Sequence, residues 1–112
     1  MWTGERQGDA YVGHVSGRID ELAWEQFAEA LKGGVDSASA QGCARIVLDL
    51  SGVEYMSSRG LRALTLGKRE ADAAGLPMIL AAANDLVGEI LAISRYDKIF
   101  AVRPTLAAAL EG

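Results

Sequence analysis

The sequence predicts an α/β domain built on a largely parallel sheet, and three observations predict it. Apolar strand-like runs and amphipathic helical segments alternate along all 112 residues, and helical crossovers of that kind lay successive strands side by side in parallel. Half of the residues are hydrophobic and 23% are charged, enough apolar side chain for one core without disulfides or metal. No repeat, low-complexity tract or linker breaks the pattern, so residues 1–112 read as a single domain.

Each element follows from local chemistry. Trp2 to Gln7 is too short to hold a crossover before the next strand, so any strand there should pair antiparallel as an edge. From Ala10 to Ile19 the residues alternate, with Tyr11, Val15 and Ile19 on one side and His14, Ser16 and Arg18 on the other. Asp20 offers an N-cap to a helix carrying Trp24, Phe27, Ala28, Leu31 and Val35 at helical spacing. Glu21, Glu25 and Glu29 line its solvated side, and Gly33-Gly34 should weaken it into the small, polar DSASAQG stretch.

ARIVLDL, residues 44–50, is a compact run rich in β-branched side chains, as expected of a buried central strand. SGVEYM reads as a loop, followed by a helix from Ser58 to Ala74 that Gly75 closes and Pro77 prevents from continuing. PMILAAA is the next buried strand, and Asn84 and Asp85 cap a third helix through Leu86, Val87, Ile90 and Ile93. KIFAV predicts a short last strand, and PTLAAALEG a final helix with proline near its start.

Composition also excludes functions. The net charge of −4 disfavours general binding to nucleic acid or anionic lipid, both of which need a positive surface. The single cysteine, Cys43, allows neither an internal disulfide nor a cysteine-based zinc cluster, and no motif of paired metal ligands appears. The longest apolar run, Met78 to Ala83, is far too short to cross a bilayer, and the N-terminus lacks a signal peptide's basic start and apolar core. A cytoplasmic protein without cofactor, metal or membrane insertion is the expectation.

In open α/β sheets, ligands and partners meet the protein beyond the carboxyl ends of the parallel strands. EYMSSRGLRAL, residues 54–64, occupies that place, and Asp49 and Asp20 are expected to face the same rim. A serine at a helix start accepts a bond from a free backbone N–H, worth about 1 kcal/mol, so capping is the default reading of Ser57 and Ser58. A nucleophilic serine needs an oriented base. The sequence holds one histidine, His14, and neither a nucleophile elbow nor a phosphate-binding loop. A phosphate here would instead meet the positive end of a helix dipole and leave the fold intact while rewriting the surface.

On a helical wheel Gly60, Leu61, Leu64, Gly67, Ala71 and Ala74 face the core. Ser58, Arg62, Thr65, Leu66 and Arg69 gather opposite, with Arg59 nearby. That strip is either an ordinary solvated face or an interface in which Leu66 is an apolar anchor among arginines.

The stretch IVLDLSGVEYMSSRGLRAL resembles the central signature of the STAS domain of bacterial anti-sigma-factor antagonists: a strand ending in Asp-Leu/Phe-Ser, a short loop, then Met/Ile-Asp/Ser-Ser-Ser/Ala-Gly-Leu. VSGRID is similar to the end of that family's early strand, and ANDLVGEILAISRYDKIFAV to its third helix and last strand. The resemblance implies a mixed sheet with an antiparallel N-terminal edge and about four helices packed mainly on one face. It also implies a non-enzymatic binding module. Unphosphorylated, the module captures a kinase-type anti-sigma factor and frees the sigma factor. Serine phosphorylation releases that partner, and a phosphatase restores binding.

By position the implied phosphoacceptor is Ser58, with Ser57 second and expected to be the cap. Asp20, Ser57, Ser58, Arg59, Arg62, Leu66 and Arg69 form the expected partner surface. Arg59 stands where the family has Ser or Ala. Two competing expectations remain: a constitutive subunit of a stress-signalling or lipid-transport assembly, and a hydrolase or transferase using Ser58 with His14.

Overall fold

A computed structural model describes residues 1–112. The chain forms β1 (Trp2–Gln7), β2 (Ala10–Ile19), α1 (Trp24–Ala40), β3 (Arg45–Met56), α2 (Ser58–Ala73), β4 (Met78–Ala81), α3 (Asp85–Ile93), β5 (Ala101–Arg103) and α4 (Leu106–Leu110), with a 3₁₀ turn at Tyr96–Lys98. One five-stranded sheet has the order β1-β2-β3-β4-β5. β1 runs antiparallel to β2 as the edge, and the remaining neighbours are parallel.

Sequential parallel strands joined by right-handed crossovers place every connecting helix on the same face. Accordingly α1, α2 and α3 contribute Phe27, Leu31, Leu64, Val87 and Leu91 to one core with Tyr11, Val15, Ile19, Leu48 and Leu50 of the sheet. α4 follows the last strand and crosses over nothing, so it is free to take the other face. Its Ala109, with Leu106 and Leu110, packs on Ala10, Val12, Val47, Ile79 and Ala81. Three helices on one face and a short fourth on the other is the arrangement.

Two readings of the sequence are corrected here. SGVEYM is not a loop but the second half of β3, continuing in register with β2 from Ser16↔Gly52 to Ile19↔Met56. The register shifts twice, between His14 and Ser16 and between Gly17 and Arg18, each time with one extra residue in β3, so that first Val53 and then Met56 face the core. β3 therefore outruns β4, and the freed carbonyl of Val53 accepts a bond from Asn84 Nδ2 at 3.0 Å. The same Asn84 caps α3 by accepting from the Val87 amide.

The second correction concerns Gly33-Gly34, through which α1 continues unbroken to Ala40. A Cβ on Gly34 would lie 2.7 Å from the Trp2 ring, so this glycine lets the edge strand's indole pack against the helix. Packing outweighs the local helix penalty of about 1 kcal/mol. The short strands also shift: the strand expected at KIFAV, residues 98–102, lies at Ala101–Arg103, and that expected at PMILAAA only at Met78–Ala81.

Candidate functional site

The long β2–β3 pair delivers two chain segments to the same end of the sheet. The Ser57 amide donates to the Ile19 carbonyl at 2.8 Å, which joins the exit of β2 to the start of α2. Ser57 has extended backbone angles, and its Oγ accepts from the Gly60 amide at 3.2 Å, so it is the N-cap of α2. It is 7% exposed. Ser58, the first helical residue, is exposed and its hydroxyl makes no hydrogen bond within the protein. One serine holds the helix and its neighbour is left free.

Asp20 does not cap α1, whose N-cap is Ala23. Instead its Oδ1 accepts from the amides of Leu22 and Ala23 at 3.1 and 3.2 Å, folding a tight turn before the helix. The tip of that turn is Leu22, 94% exposed. Leu22 escaped sequence reasoning, and the signal for it was its position off the apolar stripe of α1.

Arg59 connects the turn to α2. Its Nε lies 2.6 Å from Glu21 Oε2, and its guanidinium stands 5.7 Å from the Trp24 ring centroid. Arg62 is exposed and takes part in no ion pair or side-chain hydrogen bond. Leu66 is half-buried rather than on an open face. With Arg69 it lines a groove of about 350 Å³ between α1 and α2, over Ala28 and Gly67 and flanked by Glu29 and Lys32.

Asp49 is corrected outright: it lies within β3 on the face opposite α1–α3, not on the rim. Its Oδ2 is 2.7 Å from His14 Nδ1, and Glu5 Oε2 is 2.9 Å from His14 Nε2. Both ring nitrogens are thus taken by carboxylates. The rest of β3 separates this cluster from Ser57 and Ser58, roughly 20 Å of extended chain. The structure does not bring His14 and Ser58 together.

The hydrogen bond to Asp49 raises the His14 pKa above its ordinary 6.5, partial burial opposes this, and Glu5 adds to the rise. Partial burial pushes Asp49 up, but the bonds from His14 and Ser51 outweigh it and hold Asp49 below 3.8. A raised histidine stabilises fully below its unfolded value and loses the effect as pH rises through its folded pKa. The lowered aspartate contributes above its unfolded value and loses that as pH falls through its folded pKa. The cluster therefore supports the fold best between pH 3.8 and 6.5. Urea midpoints should fall as pH rises from 6.5 through the raised folded pKa of His14, and a His14→Gln variant should show a flatter profile. Parallel profiles would contradict the assignment.

Comparison with known proteins places this geometry. Residues 2–109 match the STAS domain. An anti-sigma factor antagonist from Mycobacterium paratuberculosis shares 27% identity at a TM-score of 0.77, over 99% of this chain and 91% of that one. The anti-sigma factor antagonist SpoIIAA, a Bacillus cell fate determinant, aligns in its unphosphorylated form at 20% identity and a TM-score of 0.74, covering 99% and 94% of the two chains. A sulfate transporter family protein from Wolinella succinogenes superimposes at 17% identity and a TM-score of 0.77, over 92% of this chain and 83% of that one. No helix here is long and apolar enough to cross a membrane. With all but its extreme termini matched, the chain belongs to the STAS domain family.

Proposed function

We propose that this chain is an anti-sigma-factor antagonist, a non-enzymatic binding module switched by phosphorylation of Ser58. Unphosphorylated, it captures a kinase-type anti-sigma factor and so frees the sigma factor. The kinase phosphorylates Ser58 and releases the module, and a phosphatase restores it. The observation that carries this reading is the division of labour between adjacent serines: Ser57 is the buried cap and Ser58 an exposed, unbonded hydroxyl. A phosphate adds about −1.5 to −2 charges, and on Ser58 it would alter the outer surface without removing a bond that holds α2.

The likeness to SpoIIAA, a protein known in a phosphorylated form, supports the reading. So does the surrounding surface, where Leu22, Arg59 and Arg62 lie around the turn and the helix start, with Leu66 and Arg69 farther along α2. An exposed leucine beside arginines suits a partner with an apolar pocket and acidic flanks.

The test is to incubate the protein with the kinase-type anti-sigma factors of its own genome and ATP, and to read the intact mass. One of them should bind the unmodified protein and add a single phosphate, which Ser58→Ala abolishes. Ser58→Asp should lower affinity for that partner at least tenfold, whereas a constitutive scaffold subunit would bind unchanged. If none of these kinases binds or modifies the protein, the reading is wrong.

A further inference from the structure

We propose that a phosphate on Ser58 takes Arg62 as its charge partner while Arg59 stays fixed to Glu21, so that the modification also withdraws Arg62 from any acidic partner. This rests on the reading of Ser58 as phosphoacceptor and gives the two arginines different roles.

On a helix, side chains three and four residues apart share a surface, whereas adjacent ones diverge. Arg59 is adjacent to Ser58, and its guanidinium is directed at Glu21 and the Trp24 ring of the neighbouring segment. Arg62 stands four residues after Ser58. Its neighbours at three and four residues are Ser58, Arg59, Thr65 and Leu66, none of them acidic. Lys68, by contrast, has Asp72 four residues on and pairs with it at 2.9 Å.

Arg62 is therefore a cation without a counter-charge, with the like charge of Arg59 three residues before it. Of its two hydroxyl neighbours, Thr65 is half-buried and bonded to the Leu61 carbonyl and Tyr96 Oη, which leaves Ser58 as the exposed one able to acquire negative charge. An acid four residues N-terminal to a base is the favourable order for such a pair, and a phosphate offers the planar guanidinium several acceptor oxygens.

The two acids of the adjoining turn are already engaged. Glu21 holds Arg59, and Asp20 accepts two amides of its own turn. Phosphorylation then acts twice at the surface: it introduces a bulky anion and neutralises the free cation beside it. A partner docking a carboxylate on Arg62 would lose that contact as it met the phosphate.

The test uses the full chain with phosphoserine genetically encoded at position 58, which needs no kinase. The second ionisation of the phosphate is followed by ³¹P NMR. Relative to the phosphorylated parent, Arg62→Ala should raise its midpoint by about 0.2–0.4 unit, Arg62→Lys should recover part of that shift, and Arg59→Ala should move it less. Arg62 is exposed, so the variants should fold, and circular dichroism checks this. An unmoved midpoint in Arg62→Ala, or a larger shift in Arg59→Ala, would overturn the assignment. A natural protein that no kinase modifies would end the proposed cycle yet leave this titration result standing.

Discussion

Phe27→Ala should cost about 3–5 kcal/mol of folding stability, the usual range for emptying a fully buried aromatic site. Phe27 has no exposed surface and projects from α1 into the cluster that unites the helices with the sheet. Its loss removes the contacts of a large side chain and leaves a space lined by branched residues that relax only partly. Domains of this size have about 5–15 kcal/mol in total, so about a fifth or more of the stability rests on this residue. The urea midpoint should fall sharply while the slope of the transition stays constant. A loss below about 1 kcal/mol would mean that Phe27 is not packed in this core as described.

The second large effect is expected at Gly60. A Cβ built there would lie 2.7 Å from Met56 Cγ, 2.9 Å from Ile19 Cγ2 and 3.0 Å from the Ile19 carbonyl oxygen. Met56 is flexible and can yield. The Ile19 carbonyl has less room to move, because it accepts the Ser57 amide that anchors the start of α2. Gly60→Val adds a branched side chain against that backbone and should cost about 3 kcal/mol, at the upper end for overpacking. The damage should be local as well as global. Amide exchange at Ser57 and Gly60 should accelerate more than in the middle of α2. Uniform acceleration would indicate that Gly60 is merely one more core position.

How far the fold was legible in the sequence depended on how local its causes are. α2 carries its own helical periodicity and an N-cap serine, so its bounds were readable to within a residue of the Ser58–Ala73 observed. The edge role of β1 followed from chain length alone. The second half of β3 was hidden because Ser51-Gly52 resembles a turn and two register shifts break the alternation on which strand recognition relies. That error moved Asp49 to the rim, since its place depends on where β3 ends. Gly34 misled for a different reason: its purpose is a close approach by Trp2, far away in sequence.

The site shows the same division. The two serines could be told apart by spacing within a family pattern, a purely local signal. The Glu21–Arg59 pair could not, because it requires the register that sets Ile19 opposite Met56. Leu22 is exposed for a related reason, since the turn that presents it is closed by Asp20 rather than by helix.

The separation of the Ser57 cap from the free Ser58 hydroxyl has a consequence for timing. On the proposed cycle, no segment has to refold, unlatch or repack before the surface reads differently. The response of such a module carries no structural delay of its own, and its tempo belongs wholly to the turnover of the enzymes that add and remove the phosphate.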